Sequence, residues 1–282
     1  MKNCLVQPFL KWAGGKRQLM NEIKENLPKD IKELKYYEPF IGGGAVFLEI
    51  EPKRAIINDF NDELINVYKV IRDNVDELIE LLKKHKENNS QEYFYEIREL
   101  DRKFEIYDKM SDVEKAARII YLNKTCYNGL FRVNSKGEFN TPYGKYKNPN
   151  IVNEVVLRAV SNYLNSSKKI KIMSGDYKEC LKRIPGDSFV YFDPPYWKVS
   201  DSSSFTGYTM NGFTKENQIE LRDTCRMLHK KGIKFMLSNS DTPFIRDLYK
   251  EFKIISVDAT RSINSNSKKR GNVGEVLVKN YE

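Results

Sequence analysis

The sequence predicts an α/β fold, a wound parallel sheet interrupted by a mainly helical insert. Three observations predict it. Strand and helix signals alternate over residues 35–72 and again after Asn150. Between residues 75 and 122 the strand signals vanish. Phe189-Val190-Tyr191-Phe192 is an apolar run without alternation, which suits a strand buried on both faces of a parallel sheet.

Taken in order, residues 35–40 read as a strand, Gly42-Gly43-Gly44 as a tight turn and 45–51 as a helix. Residues 54–58 read as a second strand closed by Asp59, and 62–72 as a second helix, which is the grammar of a βαβ unit. The charged stretch that follows carries apolar residues at helical spacing: Leu78, Ile79, Leu81 and Leu82, then Ala116, Ala117, Ile119 and Ile120. After Asn150 come a helix (152–164), strands (170–173 and 188–192), a helix (215–229), a strand (234–237) and a closing pair (254–258 and 275–278). One α/β domain, 1–66 plus 151–282, is thus expected around an insert at 67–150. There is no internal repeat or low-complexity tract.

The strand at 188–192 runs into Asp193-Pro194-Pro195-Tyr196. Strand ends in parallel sheets are where ligands bind. Pro194 forces Asp193 into an extended conformation, and the two prolines remove two N–H donors while leaving two carbonyls. One carboxylate, bare carbonyl acceptors and the Tyr196 ring make a site for a flat amine; stacking on a nucleobase contributes about 1–3 kcal/mol. The plainer alternative is a rigid turn after a core strand.

The glycine turn departs from two familiar phosphate motifs. Gly42-x-Gly44 opens a dinucleotide fingerprint, but Phe47 stands at its third glycine. Gly14-Gly15-Lys16 looks like the end of a phosphate loop, yet Leu10 replaces its first glycine and Arg17 its Ser or Thr. What remains is a close approach of ligand to backbone, with Asp59 placed to hold ribose hydroxyls. A nucleoside with an amino-acid tail fits.

The chain has 282 residues with 48 Lys+Arg against 39 Asp+Glu, a net charge of +9 and a pI near 9.1. That balance favours a polyanionic partner. The segment RSINSNSKKRGN carries Arg261, Lys268, Lys269 and Arg270 and no acid, and reads equally as a solvated loop or a phosphate clamp. Cys4, Cys126, Cys180 and Cys225 are scattered and His85 and His229 stand apart from them, so no metal site is expected and the thiols should be reduced. The start MKNCLVQPFLKW lacks a continuous apolar core, and no stretch approaches the ~18 apolar residues of a membrane span. A cytoplasmic protein is expected.

Five blocks then carry a resemblance over nearly the whole chain: PFLKWAGGKRQL, EPFIGGGAVFLEI, NDFNDELIN, CYNGLFRVNSKGEFNTPYGKY and FVYFDPPYW, in that order. The sequence resembles the Dam-type DNA adenine-N6 methyltransferases that modify GATC. The resemblance implies S-adenosylmethionine as methyl donor, a Rossmann-like sheet whose last strand runs antiparallel, and an insert that recognises the DNA target. It also implies a cofactor pocket of Trp12, Lys16, Phe40, Gly42, Asp59 and Asp193, with Asp176 and Tyr177 near the cofactor adenine. Without the resemblance, Trp12 and Phe40 would read as core packing and Lys16 as a solvated charge.

The adenine amine is a poor nucleophile because its lone pair is delocalised into the ring. Asp193 and the Pro194 carbonyl can each accept one N–H, aiming the lone pair at the donor methyl. A base within a duplex cannot reach such a pocket, so it must be flipped out and stacked on Tyr196. In the insert, Asn134-Ser135-Lys136-Gly137 is a turn signal between apolar arms, read as a hairpin or extended loop. Arg132 has the fork to take guanine O6 and N7 together, and Tyr127 can wedge into the opened stack. By resemblance, Lys11 contacts another guanine, Leu130 and Pro142 touch thymine methyls, and Asn128 holds phosphate. Lys145 stands where relatives often have Arg, which keeps charge but loses the fork. The expected partner is double-stranded DNA, met by a monomer. An RNA-adenine or protein-amide methyltransferase is the alternative, and a partner endonuclease of a restriction-modification pair is not legible in the residues.

Overall fold

The computed structural model describes residues 3–12, 14–166, 169–197, 213–260 and 272–282. Arg261, Lys268, Lys269 and Arg270 of the basic segment lie outside the described residues.

The described strands form one sheet: β1 (Lys35–Glu38), β2 (Ala55–Asp59), β3 (Ile170–Ser174), β4 (Ser188–Phe192), β5 (Lys234–Ser240), β6 (Lys253–Thr260) and β7 (Asn272–Lys279), in the order β3-β2-β1-β4-β5-β7-β6. β7 is antiparallel to both of its neighbours, and the pairs from β3 to β5 are parallel. The expected α/β class and reversed last strand are therefore both present. The order reverses between β1 and β4, which pair Lys35 with Ser188, Tyr36 with Phe189 and Tyr37 with Val190. Their carboxyl ends leave the sheet side by side, so the glycine turn after β1 and the Asp-Pro-Pro-Tyr after β4 share one crevice.

The helices are α1 (Met20–Asn26), α2 (Ala45–Ile50), α3 (Asp62–Asp73), α4 (Val75–Glu87), α5 (Gln91–Arg98), α6 (Phe104–Tyr107), α7 (Asp112–Thr125), α8 (Glu154–Asn165), α9 (Tyr177–Leu181), α10 (Lys215–Lys230) and α11 (Pro243–Leu248). α1, α9 and α11, of 7, 5 and 6 residues, were not foreseen; so few turns give little apolar period to detect. α3, α7 and α10 start where side chains take up their first N–H groups. Asn61 caps α3 by accepting from Leu64 N–H, and Ser111 and Glu114 form a reciprocal capping box on α7.

β4 is buried at every position. Phe189 and Tyr191 face one core, shared with Tyr36, Ile57, Leu78, Ala117 and Phe131; Val190 and Phe192 face the other, with Tyr37, Leu221, Phe235 and Tyr249. Each such side chain contributes about 1.5–3 kcal/mol by leaving water. The helices of the insert thus rest on one face of the sheet through a common core. α3 runs unbroken through residue 67 and packs on β2, β3, α7 and α8. α7 is the inner helix of the insert, with ten buried residues, and α3, α4 and α5 pack against it.

Candidate active site

Three segments converge at the reversal point. The first is the turn before α1, where Lys16 is 4% exposed and its Nζ lies 2.6 Å from Asp193 Oδ1 and donates to the Gly14 carbonyl at 2.6 Å. The same ammonium stands 4.8 Å from the centroid of the Tyr196 ring. Lys16 is thus a buried partner of the DPPY segment, because its charge is met by a carboxylate, a carbonyl and a ring face.

The second is the glycine turn. Gly42 and Gly44 have φ of 48° and 68°, and a Cβ at Gly44 would sit 2.4 Å from Tyr68 Oη. Trp12 lies on this turn, 2.9 Å from where a Gly43 Cβ would be. Asp59, at the end of β2, accepts N–H bonds from Gly42 (2.9 Å) and Asn61 (3.0 Å). Burial pushes its carboxyl up, opposed by those donors. Phe40 packs on Tyr177, with centroids 5.1 Å apart. Tyr177 is buried, while Asp176 is exposed and caps α9 by accepting from Lys178 N–H at 2.8 Å.

The third is DPPYW, whose backbone is pinned by polar residues. Gln218 of α10 donates to the Pro195 carbonyl at 3.0 Å and accepts from Asn239 Nδ2 at 3.1 Å. Asn239 Oδ1 accepts from Trp197 N–H at 3.0 Å, and Ser240 Oγ donates to the Trp197 carbonyl at 2.8 Å. Tyr196 Oη donates to Glu275 Oε2 at 2.8 Å. The two proline carbonyls therefore differ: that of Pro195 is engaged, and that of Pro194 accepts no hydrogen bond among the described residues. Asp193 likewise uses only Oδ1, leaving Oδ2 without a partner among the described residues. Burial pushes the Asp193 carboxyl up to about 6; Lys16 opposes the rise and Glu275 adds to it. Beside Lys16, burial also raises the Glu38 carboxyl, which accepts from Tyr36 Oη at 2.5 Å.

Gln218, Asn239, Ser240, Glu275 and Glu38 were not foreseen. For two of them, Asn239 and Ser240, a signal existed: they continue β5 beyond the expected end at 237, fully buried. Polar residues on a central strand need partners, and these partners are the backbone of DPPYW.

The expected DNA-reading residues gather on a separate surface. Tyr127 is 49% exposed, Asn128 is left-handed at φ 56°, and Tyr127 N–H donates to the Pro142 carbonyl at 2.8 Å. Leu130 is half-buried, and Arg132, Pro142 and Lys145 are exposed. The expected hairpin is present as a short loop with one bridge, Val133 to Phe139, closed by Asn134 N–H on Glu138 O at 2.9 Å. Arg132 Nε donates to Asn140 Oδ1 at 3.1 Å, and its two Nη have no partner among the described residues. Lys11, from the N-terminal arm, joins this surface, 5.2 Å from the Tyr146 ring centroid.

A family model for D12 class N6 adenine-specific DNA methyltransferases matches residues 12–263. The chain belongs to that family. It is 50% identical over 276 residues to the type II methyltransferase M1.LlaDCHI of Lactococcus lactis subsp. cremoris, covering 98% of this chain and 96% of that one. It is 45% identical over 292 residues to the type II methyltransferase M.MjaIII of Methanocaldococcus jannaschii (98% and 99%). To the DNA adenine methylase of Escherichia coli K12 it is 35% identical over 272 residues (96% and 94%). Membership decides for DNA adenine over RNA adenine or a protein amide. As a D12 methyltransferase the enzyme takes its methyl from S-adenosylmethionine. Among the described residues no group of three or more His, Cys, Asp or Glu could hold a metal ion, and no helix is long and apolar enough to cross a membrane.

The crevice has room and polarity for that donor. A Cβ at Gly175 would meet nothing within 4 Å. Next to it, Asn58 donates to the Gly175 and Pro39 carbonyls while its own Oδ1 is buried without a partner among the described residues. A buried acceptor of this kind fits a bound donor group.

Proposed function

We propose that this D12 methyltransferase acts on the N6 amine of an adenine flipped out of double-stranded GATC. The carrying observation is the pair of neighbouring acceptors, Asp193 Oδ2 and the Pro194 carbonyl, which take no hydrogen bond among the described residues, while Asp193 Oδ1 and the Pro195 carbonyl are engaged. Two acceptors suit the two N–H groups of one amine. Held by both, the nitrogen turns its lone pair out of the ring plane. Lys16 keeps Asp193 an acceptor near neutral pH by offsetting the burial that raises it. Tyr196, fixed by Glu275, gives the adenine a stacking face.

Trp12, Lys16, Phe40, Gly42, Asp59, Asp176, Tyr177 and Asp193 form the cofactor side, and the group held there supplies an electrophilic methyl on a sulfonium. Asp59 and the backbone of the glycine turn would take its ribose hydroxyls and tail. On the DNA side, residues 67–150 act as the target-recognition insert: Lys11 and Arg132 for guanines, Leu130 and Pro142 for thymine methyls, Tyr127 as the wedge, Asn128 and Lys145 for phosphates. The two relatives named type II methyltransferases support a place beside a restriction endonuclease. We take the enzyme to be a cytoplasmic monomer, because methylating one strand per visit does not require a dimer.

The test is methyl transfer from labelled S-adenosylmethionine to duplexes with and without GATC, followed by digestion with methylation-sensitive and methylation-dependent nucleases. Label at GATC adenines is expected; label at another site refutes the assigned sequence, and a sedimentation mass of two chains refutes the monomer.

A further inference from the structure

Asn123, in the last turn of α7, is fully buried with its amide saturated. Its Oδ1 accepts from the Lys11 backbone N–H at 2.9 Å; its Nδ2 donates to the Lys11 carbonyl at 2.7 Å and to the Gly129 carbonyl at 3.1 Å. Both N–H groups and one lone pair are spent on backbone from two distant segments. On the other side the two segments touch directly. Gly129 has φ 65°, and a Cβ there would lie 2.5 Å from Lys11 Cδ and 2.8 Å from Lys11 Cβ. One residue further along the arm, Trp12 stacks on Phe131 at 5.0 Å and 24°. Thr141 Oγ1 ties the Leu130 carbonyl at 2.6 Å.

We infer that Asn123 and Gly129 form a staple that sets the distance between Lys11 and the turn 127–132, so that two separate segments read DNA as one rigid unit. Asn123 is a positioning residue, and Gly129 is the surface on which the Lys11 stem lies. The inference rests on the proposed reading roles of Lys11 and the turn. Its physical basis is that base readout tolerates little displacement: contacts must be held to within about 0.5 Å by supporting groups. An amide saturated on three backbone groups provides that, and the missing Cβ permits the close approach.

The two contacts allow independent perturbation, Asn123→Ala from the helix and Gly129→Ala from the turn. The full chain is assayed with S-adenosylmethionine on duplexes whose opposite strand carries N6-methyladenine, with each G·C pair of GATC replaced in turn. DNA Kd, kcat/KM and cofactor Kd are all measured. The wild type must first methylate GATC and reject the altered sites; if it does not, the proposed function fails and the staple is not at issue. Given that, both variants are expected to lose about tenfold of discrimination at the pair that Lys11→Ala affects, with KM for DNA rising more than kcat falls and cofactor Kd unchanged. Gly129→Ala should add nothing to discrimination in a Lys11→Ala background, as for two residues acting through one contact. Unchanged discrimination, equal loss at every pair, or additivity with Lys11→Ala overturns the inference. Should Asn123→Ala fail to fold, Gly129→Ala decides alone.

Discussion

The ammonium of Lys16 and the carboxylate of Asp193 meet at 2.6 Å through Oδ1, while Oδ2 takes no hydrogen bond among the described residues. An acid buried beyond the end of β4 would otherwise favour its neutral form. With Lys16 beside it, burial still raises the group, but only to about 6. The residue can accept an N–H at neutral pH, which is the condition the proposed chemistry sets.

The first prediction concerns acid. Because the Asp193 carboxyl titrates at about 6 in the folded protein, against 3.8 for an ordinary aspartate, the accepting form is lost as pH falls through about 6. A pH profile of kcat/KM for DNA should show an acid limb there. Lys16→Met removes the opposing cation and should move that limb to higher pH. A limb that stays in place in the variant would detach Lys16 from this role.

Asp193→Ala should lower kcat by roughly 10²–10³-fold or more, the scale for losing a preorganised polar group at a reacting centre. DNA affinity, read by fluorescence anisotropy, should change little. Loss of DNA binding instead would give Asp193 a structural role.

Gln218→Leu frees the Pro195 carbonyl and strands Asn239, whose Nδ2 donates to Gln218. A buried polar group left unpartnered costs about 1–3 kcal/mol, so thermal denaturation should show a lower Tm. Turnover should fall as well, because the DPPYW backbone loses a fixed point. A full-rate enzyme with a lowered Tm would confine Gln218 to stability.

Arg132→Ala should relax sequence choice more than it slows turnover at saturating DNA, with a discrimination loss of about 1–3 kcal/mol at one guanine. Asn140 holds Arg132 Nε and leaves the Nη pair outward, so Asn140→Ala should show a weaker form of the same defect. Competition between cognate and altered duplexes measures both.

Arg118 is fully buried on α7, with Nη2 2.7 Å from Asp101 Oδ2, and Asp101 Oδ2 also accepts the Phe139 N–H at 2.7 Å. Arg118→Leu leaves that carboxylate without its buried cation, a loss of about 3–5 kcal/mol. Urea denaturation should show it as a lower midpoint, and a change under 1 kcal/mol would mean that Arg102, also paired with Asp101 at 2.8 Å, suffices.

The parallel sheet, the helices between β2 and β3 and the acid after β4 were legible because their signals are local. Apolar runs and helical spacing act over a few residues, and Pro194 restricts Asp193 directly. The family blocks carried the rest of the expected site. The short helices α1, α9 and α11 escaped, as did the polar end of β5, because Ser238-Asn239-Ser240 reads as a loop until burial forces a use for it.

By itself, then, the amino-acid order determined the fold class and the placing of a carboxylate and two bare carbonyls at a strand end. Only the tertiary structure decided that the Pro195 carbonyl is engaged by Gln218, that Lys16 is buried against Asp193, and that Asn123 joins Lys11 to Gly129. The physical reason is range: propensity and backbone restriction act between chain neighbours, whereas these choices depend on polar groups from distant segments meeting where water is excluded and each must find a partner.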